Sequence, residues 1–96
     1  MCVHLRTEDD DELDYIHRDT GFDWAFLIYL SESNLKSGTK FYKAENSDKE
    51  DDNVFVKFEQ NRIVLFDSTV PHMAYSNHGK DLNDGRLTIN GFCNYV

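Results

Sequence analysis

The sequence predicts an all-β domain of eight short strands, folded as a sandwich or a barrel. Segments 54–58 and 86–92 follow the period of two that is typical of strands. Short apolar runs recur between turns rich in Asn, Asp and Ser, whereas the chain has only 5 glycines and 1 proline. The 96 residues suffice for one domain, and a hydrophobic content of 40% is typical of a folded protein. Many short strands joined by polar turns indicate a sandwich or barrel.

The first three strands are predicted from β-branched and apolar composition. Residues 1–7 (MCVHLRT) precede an acidic turn, and residues 14–18 (DYIHR) form a second, short strand. Residues 23–31 (DWAFLIYLS) form the strongest strand. One face of it carries Trp24, Phe26, Ile28 and Leu30, and the other carries Ala25, Leu27 and Tyr29. Since both faces are apolar, both require cover.

The other five strands follow from the same signals. Residues 38–44 (GTKFYKA) come after the turn SESNLKSG, and residues 53–59 (NVFVKFE) come after an acidic stretch. The last three predicted strands are residues 62–67 (RIVLFD), 70–76 (VPHMAYS) and 86–96 (RLTINGFCNYV). A single domain therefore spans residues 1–96, with minimal or no helix.

The net charge of −8 argues against a broad nucleic-acid-binding surface, because such surfaces neutralise phosphates with Lys and Arg. Two acidic clusters lie at residues 8–14 and 45–52. Neither has the D-x-[DN]-x-[DN]-G spacing of a calcium loop, so we expect both to be solvated turns between strands.

The two cysteines, Cys2 and Cys93, fit neither a zinc motif nor a disulfide framework. No apolar run reaches the roughly 18 residues of a membrane span. The N-terminal segment lacks the basic and then apolar pattern of a secretion signal. These features predict a cytoplasmic protein with reduced thiols.

A candidate metal site begins with His17 and Asp19, which project to the same face if the segment is extended. A lone His-x-Asp pair is more often a surface hydrogen bond, so a third ligand is needed. His72, in the strand-like segment VPHMAYS, can supply it. Two histidines and one carboxylate form the facial triad of non-haem Fe(II) oxygenases, which leaves positions open for other ligands. Of the remaining histidines, we expect His4 to be half-buried and structural and His78 to be solvated.

A candidate anion site lies at the start of the last strand. Arg86, Thr88 and Asn90 share one face of that strand by the period of two. A guanidinium with a hydroxyl two residues on is suited to bind a carboxylate through forked hydrogen bonds. Arg86 alone also fits a surface ion pair, but beside a metal triad the distal carboxylate of a dicarboxylic cosubstrate is the better partner.

Four segments in order resemble the Fe(II)/2-oxoglutarate-dependent oxygenases, specifically their prolyl-4-hydroxylase-like branch. The segments are IHRDTGFDWAFLIYL, SGTKFY, NRIVLFDSTVPHMA and GRLTINGF. The likeness covers about residues 13 to 93, with His72 placed 55 positions after His17 and Arg86 placed 14 positions after His72.

The resemblance implies a double-stranded β-helix, a jelly-roll or cupin-like barrel of two antiparallel sheets. It implies Fe(II) held by His17, Asp19 and His72, with O2 and 2-oxoglutarate as cosubstrates. The distal carboxylate of 2-oxoglutarate would bind Arg86, helped by Thr88 and Tyr29, although Tyr29 fits a role as a core aromatic equally well. The implied activity is hydroxylation of a substrate, with a peptidyl side chain such as prolyl slightly favoured over a small molecule.

The chain departs from the family in lacking the N-terminal helices that cover the larger sheet in relatives. One apolar face of strand 23–31 is therefore left without cover, which predicts a homo-oligomer through that face or a piece of a larger protein. The stretch between His72 and Arg86 is longer than in many relatives, and forms a substrate-facing loop or only a longer turn. Three other functions stay open: a non-catalytic β-barrel binding module with a vestigial or structural metal site, a cupin-like metalloenzyme that does not use 2-oxoglutarate, and an oligomerisation fragment with no metal site.

Overall fold

The computed structural model describes residues 1–95, with the side chains of residues 11–13 outside the description. Seven strands and one short 3-10 helix, Glu8–Leu13, make up its regular structure. The strands are β1 (Cys2–Arg6), β2 (Trp24–Tyr29), β3 (Asn34–Tyr42), β4 (Asn53–Phe58), β5 (Ile63–Asp67), β6 (His72–Tyr75) and β7 (Arg86–Cys93). The all-β prediction is therefore confirmed for residues 1–95, and the predicted strand end at residue 96 lies outside the described residues. No helix among the described residues is long and apolar enough to cross a bilayer.

The strands form two antiparallel sheets. The larger sheet has the order β1-β7-β2-β5, and the smaller sheet has the order β4-β3-β6. Since β1 and β7 pair, the two ends of the chain lie in one sheet. The shortest dimension of the molecule, 19 Å, fits two sheets stacked about 10 Å apart with side chains on their outer sides.

The predicted strand at residues 14–18 is replaced by a single bridge. His17 and His72 pair as an isolated antiparallel bridge at the free edge of β6. Backbone hydrogen bonds run both ways between them, from the His17 N–H to the His72 carbonyl at 3.0 Å and back at 2.9 Å. The segment is extended only where it meets β6, so it contributes a contact to the smaller sheet but no strand.

The acidic cluster at residues 8–14 is only partly the solvated turn predicted from its composition. It begins as the 3-10 helix, where the Thr7 N–H donates to the Asp10 carboxylate at 2.8 Å. It ends at Asp14, which is buried and forms an ion pair with Arg6 at 3.2 Å. The second cluster, residues 45–52, consists of turns whose carboxylates are mostly exposed, as predicted.

The hydrophobic core between the sheets is small. Leu27 and Tyr29 of β2 pack with Phe58 of β4, and the rings of Tyr29 and Phe58 lie 4.3 Å apart. A second contact between the sheets joins Phe41 of β3 to Phe66 of β5 at 5.0 Å. Beyond these groups the interior carries polar residues, which is unusual for the centre of a sandwich and marks the site described below.

The larger sheet presents an apolar surface to the outside, which we call the outer face. Alternation in β2 buries Ala25, Leu27 and Tyr29 and turns the other side chains outward, as predicted from the sequence. One row of the outer face crosses all four strands through Val3, Ile89, Ile28 and Ile63, which are paired in register.

The neighbouring row of the outer face contains Phe26 and Leu65, which are paired across β2 and β5. Gly91 of β7 lies under the Phe26 ring, since a Cβ on Gly91 would be 2.2 Å from Phe26 Cζ. The absence of a side chain at Gly91 therefore lets the aromatic ring lie flat on the sheet. The outer face is apolar over four strands, a wider surface than strand 23–31 alone.

Candidate metal centre and anion pocket

Three predicted ligands converge at one end of the space between the sheets. His17, Asp19 and His72 each offer one ligand atom, and these atoms all lie within 4.8 Å of one another. The Asp19 carboxylate is 3.3 Å from His72 Nε2 and 3.8 Å from His17 Nε2. Ligands at right angles and about 2.1 Å from a metal are about 3 Å apart, so the three atoms would have to move closer together to bind one ion. His17 is the ligand free to move, because its side chain is partly exposed.

Backbone hydrogen bonds hold these ligands in place. The bridge between His17 and His72 brings the two imidazoles together, with their ring centroids 4.4 Å apart. The Asp19 N–H donates to the carbonyl of Ser68, a buried residue in the turn before β6, at 2.9 Å. Segment 17–19 is therefore fixed at one end to the start of β6 and at the other end to the turn before β6, which places the carboxylate near both rings.

The hydrogen bonds of the histidine rings select the tautomer that a metal needs. The Nδ1–H of His72 donates to the Val70 carbonyl at 2.7 Å, and the Nδ1–H of His17 donates to the Tyr15 carbonyl at 3.1 Å. With Nδ1 protonated, the lone pair of each neutral ring lies on Nε2, the atom that faces Asp19. Orientation of a ligating histidine through its other nitrogen is the usual outer-shell arrangement of protein metal sites.

His72 is the most buried of the three ligands, with 7% of its surface exposed. The rings of Phe66 and Phe41 lie 4.8 Å and 6.0 Å from its imidazole. Burial lowers the pKa of His72, an effect that the hydrogen bond to Val70 and the charge of Asp19 partly offset. The apolar surroundings therefore favour the neutral, metal-binding form of this ring.

Arg86 is a buried cation on the same interior surface. Only 4% of the residue is exposed, and burial lowers its pKa from the usual value for arginine. Its Nη2 donates to the Gly38 carbonyl at 3.4 Å and to Thr39 Oγ1 at 3.3 Å, while its Nε has no hydrogen-bond partner. Among the described side chains, no carboxylate lies within ion-pair distance of the guanidinium. Such a group is costly to bury, and an anionic ligand would satisfy it.

Tyr29 and Thr39 support the guanidinium from behind. The Tyr29 hydroxyl shares a hydrogen bond of 2.8 Å with Thr39 Oγ1, which in turn accepts from Arg86. Burial raises the pKa of Tyr29, and the Thr39 hydrogen bond and the charge of Arg86 act in the opposite direction. Thr39 lines the interior cavity and Tyr29 does not. Tyr29 is thus a core aromatic whose hydroxyl reaches the site through Thr39.

Thr88 and Asn90 continue the polar surface of β7. Thr88 is buried, and its hydroxyl donates to Asn90 Oδ1 at 2.7 Å. Both residues line the cavity, as the alternation of β7 predicts. Because the Thr88 hydroxyl donates its proton to Asn90, it can only accept a hydrogen bond from a ligand, through its lone pairs.

One cavity of about 240 Å³ joins the metal ligands to the arginine. His17, Asp19, His72, Thr39, Thr88 and Arg86 all line it. Thr39 pairs with Ala74 and Phe41 pairs with His72, so the arginine end and the metal end are one step of two residues apart along β3, or about 7 Å. This size fits a small organic acid rather than the drug-sized ligands of pockets of about 300–1,000 Å³.

The long connection between β6 and β7 passes close to Arg86. Asn77 donates to the buried Asp14 carboxylate, and the His78 ring packs edge-on against Phe58 at 5.4 Å. Burial and the nearby Arg86 lower the pKa of His78. His78 is half-buried, which corrects the prediction of a solvated side chain.

Several residues of the site were not predicted from the sequence. Thr39 was noted only as part of SGTKFY, and its contact with Arg86 depends on pairing between distant strands. The ion pair of Arg6 with Asp14, which also lines the cavity, lay inside a cluster expected to be solvated. His4 was expected to be half-buried, yet it is exposed on β1 at the cavity wall.

Comparisons of the chain with protein-family models, with curated proteins and with solved structures find no match. Any functional conclusion therefore depends on the geometry and chemistry of the site.

Proposed function

We propose that this protein is an Fe(II)- and 2-oxoglutarate-dependent dioxygenase. The observation that carries the proposal is a single cavity with a two-histidine, one-carboxylate cluster at one end and, at the other, a buried arginine that has no ion-pair partner among the described side chains. The donor set suits non-haem Fe(II), and the arginine suits the far carboxylate of a dicarboxylic cosubstrate.

The charges of the cavity support a dianionic ligand. A divalent ion beside Asp19 leaves one positive charge, and Arg86 adds a second. Arg6 and Asp14 cancel each other through their ion pair at 3.2 Å. A dicarboxylate dianion would neutralise both remaining charges, one at each end, whereas a monocarboxylate would leave one of them buried without a partner.

The proposed division of work among the residues follows from their positions. His17, Asp19 and His72 would hold Fe(II), which supplies the redox chemistry by which 2-oxoglutarate, O2 and a substrate C–H become succinate, CO2 and an alcohol. Arg86 would orient the cosubstrate through its distal carboxylate. Phe41 and Phe66 exclude water around His72, which limits side reactions at the reacting centre.

We further propose that the fold is a double-stranded β-helix. Going along the chain, β1, β2, β5 and β7 fall in the larger sheet, and β3, β4 and β6 fall in the smaller one. The bridge of His17 to His72 adds the segment at 14–18 to the edge of β6, where an eighth strand of the smaller sheet would lie. This alternation between sheets is that of a jelly roll.

The site also bears on two of the alternative functions. The cluster has three members among the described residues, which leaves coordination positions open, whereas a structural metal site is normally closed by four protein ligands. A cupin-like enzyme that does not use 2-oxoglutarate would need no buried arginine in the cavity. We also propose that the substrate is a peptidyl side chain such as that of proline. The proposed location is the cytoplasm, where reducing conditions would keep the free thiols of Cys2 and Cys93 reduced.

The test is succinate production by the purified chain supplied with Fe(II), ascorbate and 2-oxoglutarate, with and without a panel of proline-containing peptides. We expect turnover that falls at least 100-fold in His72→Ala, because one of three ligands is lost. His4→Ala is the matched control, since His4 lines the same cavity outside the cluster, and its turnover should stay within threefold of the wild type. Equal turnover in His72→Ala and the wild type would exclude the assignment.

A failure of catalysis must be separated from a failure of binding. Calorimetric titration of the Mn(II)-loaded protein with N-oxalylglycine, an unreactive analogue of 2-oxoglutarate, makes this distinction. Binding without succinate production would identify a non-catalytic module. Metal binding without analogue binding would instead favour the cupin-like alternative.

A further inference from the structure

Much of the outer face of the larger sheet is left exposed by residues 1–95, the part of the chain that the structure describes. Ile63 and Leu65 of β5 are 66% and 63% exposed, and Val3 at the opposite edge is 65% exposed. Isolated apolar residues on a surface are common, but a contiguous apolar surface across four strands marks an interaction site.

The interior does not compensate for this exposure. The core cluster between the sheets comprises Leu27, Tyr29 and Phe58 with a few partly buried neighbours. The cavity of about 240 Å³ takes up further space between the sheets. More large apolar side chains of the larger sheet therefore point outward than inward, the reverse of an ordinary sandwich.

We propose that the outer face is a homodimer interface, in which the larger sheets of two copies of this chain pack face to face. Such an arrangement buries both apolar faces at the usual spacing of about 10 Å between sheets. A two-fold axis lets the same surface serve on both copies, so the interface needs no second kind of surface.

The charge distribution favours a second copy on this face over other faces. The chain carries a net charge of −8, so two copies repel each other over most of their surfaces. The two described rows through Ile28 and Phe26 contain no charged residue, and Asp67 lies at a corner of the sheet opposite Trp24. This face therefore allows close approach without opposing carboxylates.

The area is sufficient for a small specific dimer. Four strands about 4.8 Å apart and about 20 Å long give a flat area of about 400 Å² per copy. Two such faces bury about 800 Å², and the relief of the side chains raises the accessible area to about 1,000 Å², the lower bound for a specific interface. A weak dimer, with micromolar rather than nanomolar affinity, is expected.

Sedimentation equilibrium of the full chain between 1 and about 200 µM tests the proposal. We expect the mass to rise from that of the 11.2 kDa chain to twice that value. Leu65→Lys should weaken the dimer at least 100-fold, because each copy would then bury a lysine in the apolar interface. Leu82→Lys is the matched control, since Leu82 is 66% exposed but lies in the loop between β6 and β7, and it should change the affinity less than threefold.

Three outcomes would overturn the proposal. A wild-type protein that stays monomeric at the highest concentration means that the face is covered by something else, such as another protein. Equal weakening by Leu82→Lys and Leu65→Lys, or assembly beyond two copies, means non-specific association. Mn(II) binding is measured in parallel, and Leu65→Lys should bind Mn(II) as the wild type does. This measurement keeps the test of the dimer independent of the proposed enzymatic function.

Discussion

Replacement of Arg86 by methionine should change stability and ligand affinity in opposite directions. The guanidinium is 4% exposed and makes two long hydrogen bonds of 3.3 and 3.4 Å. Their loss costs about 0.5–1.5 kcal/mol each, while the desolvation of an unpaired buried charge costs several kcal/mol. Methionine has a similar length and no charge, so we expect the ligand-free variant to be more stable by about 1–3 kcal/mol.

Affinity for a dicarboxylate should fall steeply in the same variant. Removing one partner of a buried charge pair costs about 3–5 kcal/mol, because the other charge is then left without compensation. At 1.4 kcal/mol per factor of ten, this is a loss of roughly two to three and a half orders of magnitude. Arg86→Lys, which keeps the charge but loses the forked geometry, should show a smaller loss.

Two measurements on the same samples check this prediction. Urea unfolding gives the change in the free energy of unfolding, and titration of the Mn(II)-loaded protein with N-oxalylglycine gives the change in affinity. Arg62→Met is the control, because Arg62 forms an ion pair with Glu59 away from the cavity. If Arg86→Met binds N-oxalylglycine within threefold of the wild type, the guanidinium does not hold the ligand and the reasoning fails.

Two further predictions concern residues around the arginine. Thr39→Val keeps the shape of the side chain but removes a hydrogen-bond partner of the Tyr29 hydroxyl and of Arg86 Nη2. The free energy of unfolding, measured by urea denaturation, should therefore fall by about 1–3 kcal/mol. An unchanged urea midpoint would show that these groups find other partners. His78 should make the ligand-free protein sensitive to acid, because burial and Arg86 hold its pKa below the usual 6.5 despite the opposing charge of Asp84. The neutral ring is favoured in the folded state, so its contribution is present above pH 6.5 and is lost as the pH falls below that value. Urea midpoints at pH 7.5 and 5.5 should differ less in His78→Asn than in the wild type, and equal differences would contradict this role.

Local patterns in the sequence predicted the parts of the site that depend on local geometry. The spacing of His17 and Asp19 places both side chains on one side of an extended segment, and the alternation of β7 places Arg86 and Thr88 inward. All four residues line the cavity. The alternation of β2 was predicted for the same reason, since a period of two is a property of the strand alone.

Features that depend on contacts between distant segments were not predicted. Thr39 joins Tyr29 to Arg86 only because β3 faces both across the interior. Asp14 is buried because Arg6 on β1 provides a partner, which composition could not indicate within a run of carboxylates. The segment at 14–18 has the composition of a strand, but only His17 pairs with β6, since strand formation needs a neighbouring partner along its length.

The bridge between His17 and His72 has a consequence for how the protein is stabilised. These residues are 55 positions apart, so an unfolded chain does not present them together and a metal ion binds only the folded form. Binding then adds RT ln(1 + [M]/Kd) to the free energy of unfolding, about 2.7 kcal/mol at a metal concentration of 100 times Kd. For a domain with a core this small, a metal ion bound to these residues would act as a reversible cross-link. Chelators should therefore lower its thermal midpoint as reduction does for disulfide-bonded domains of similar size.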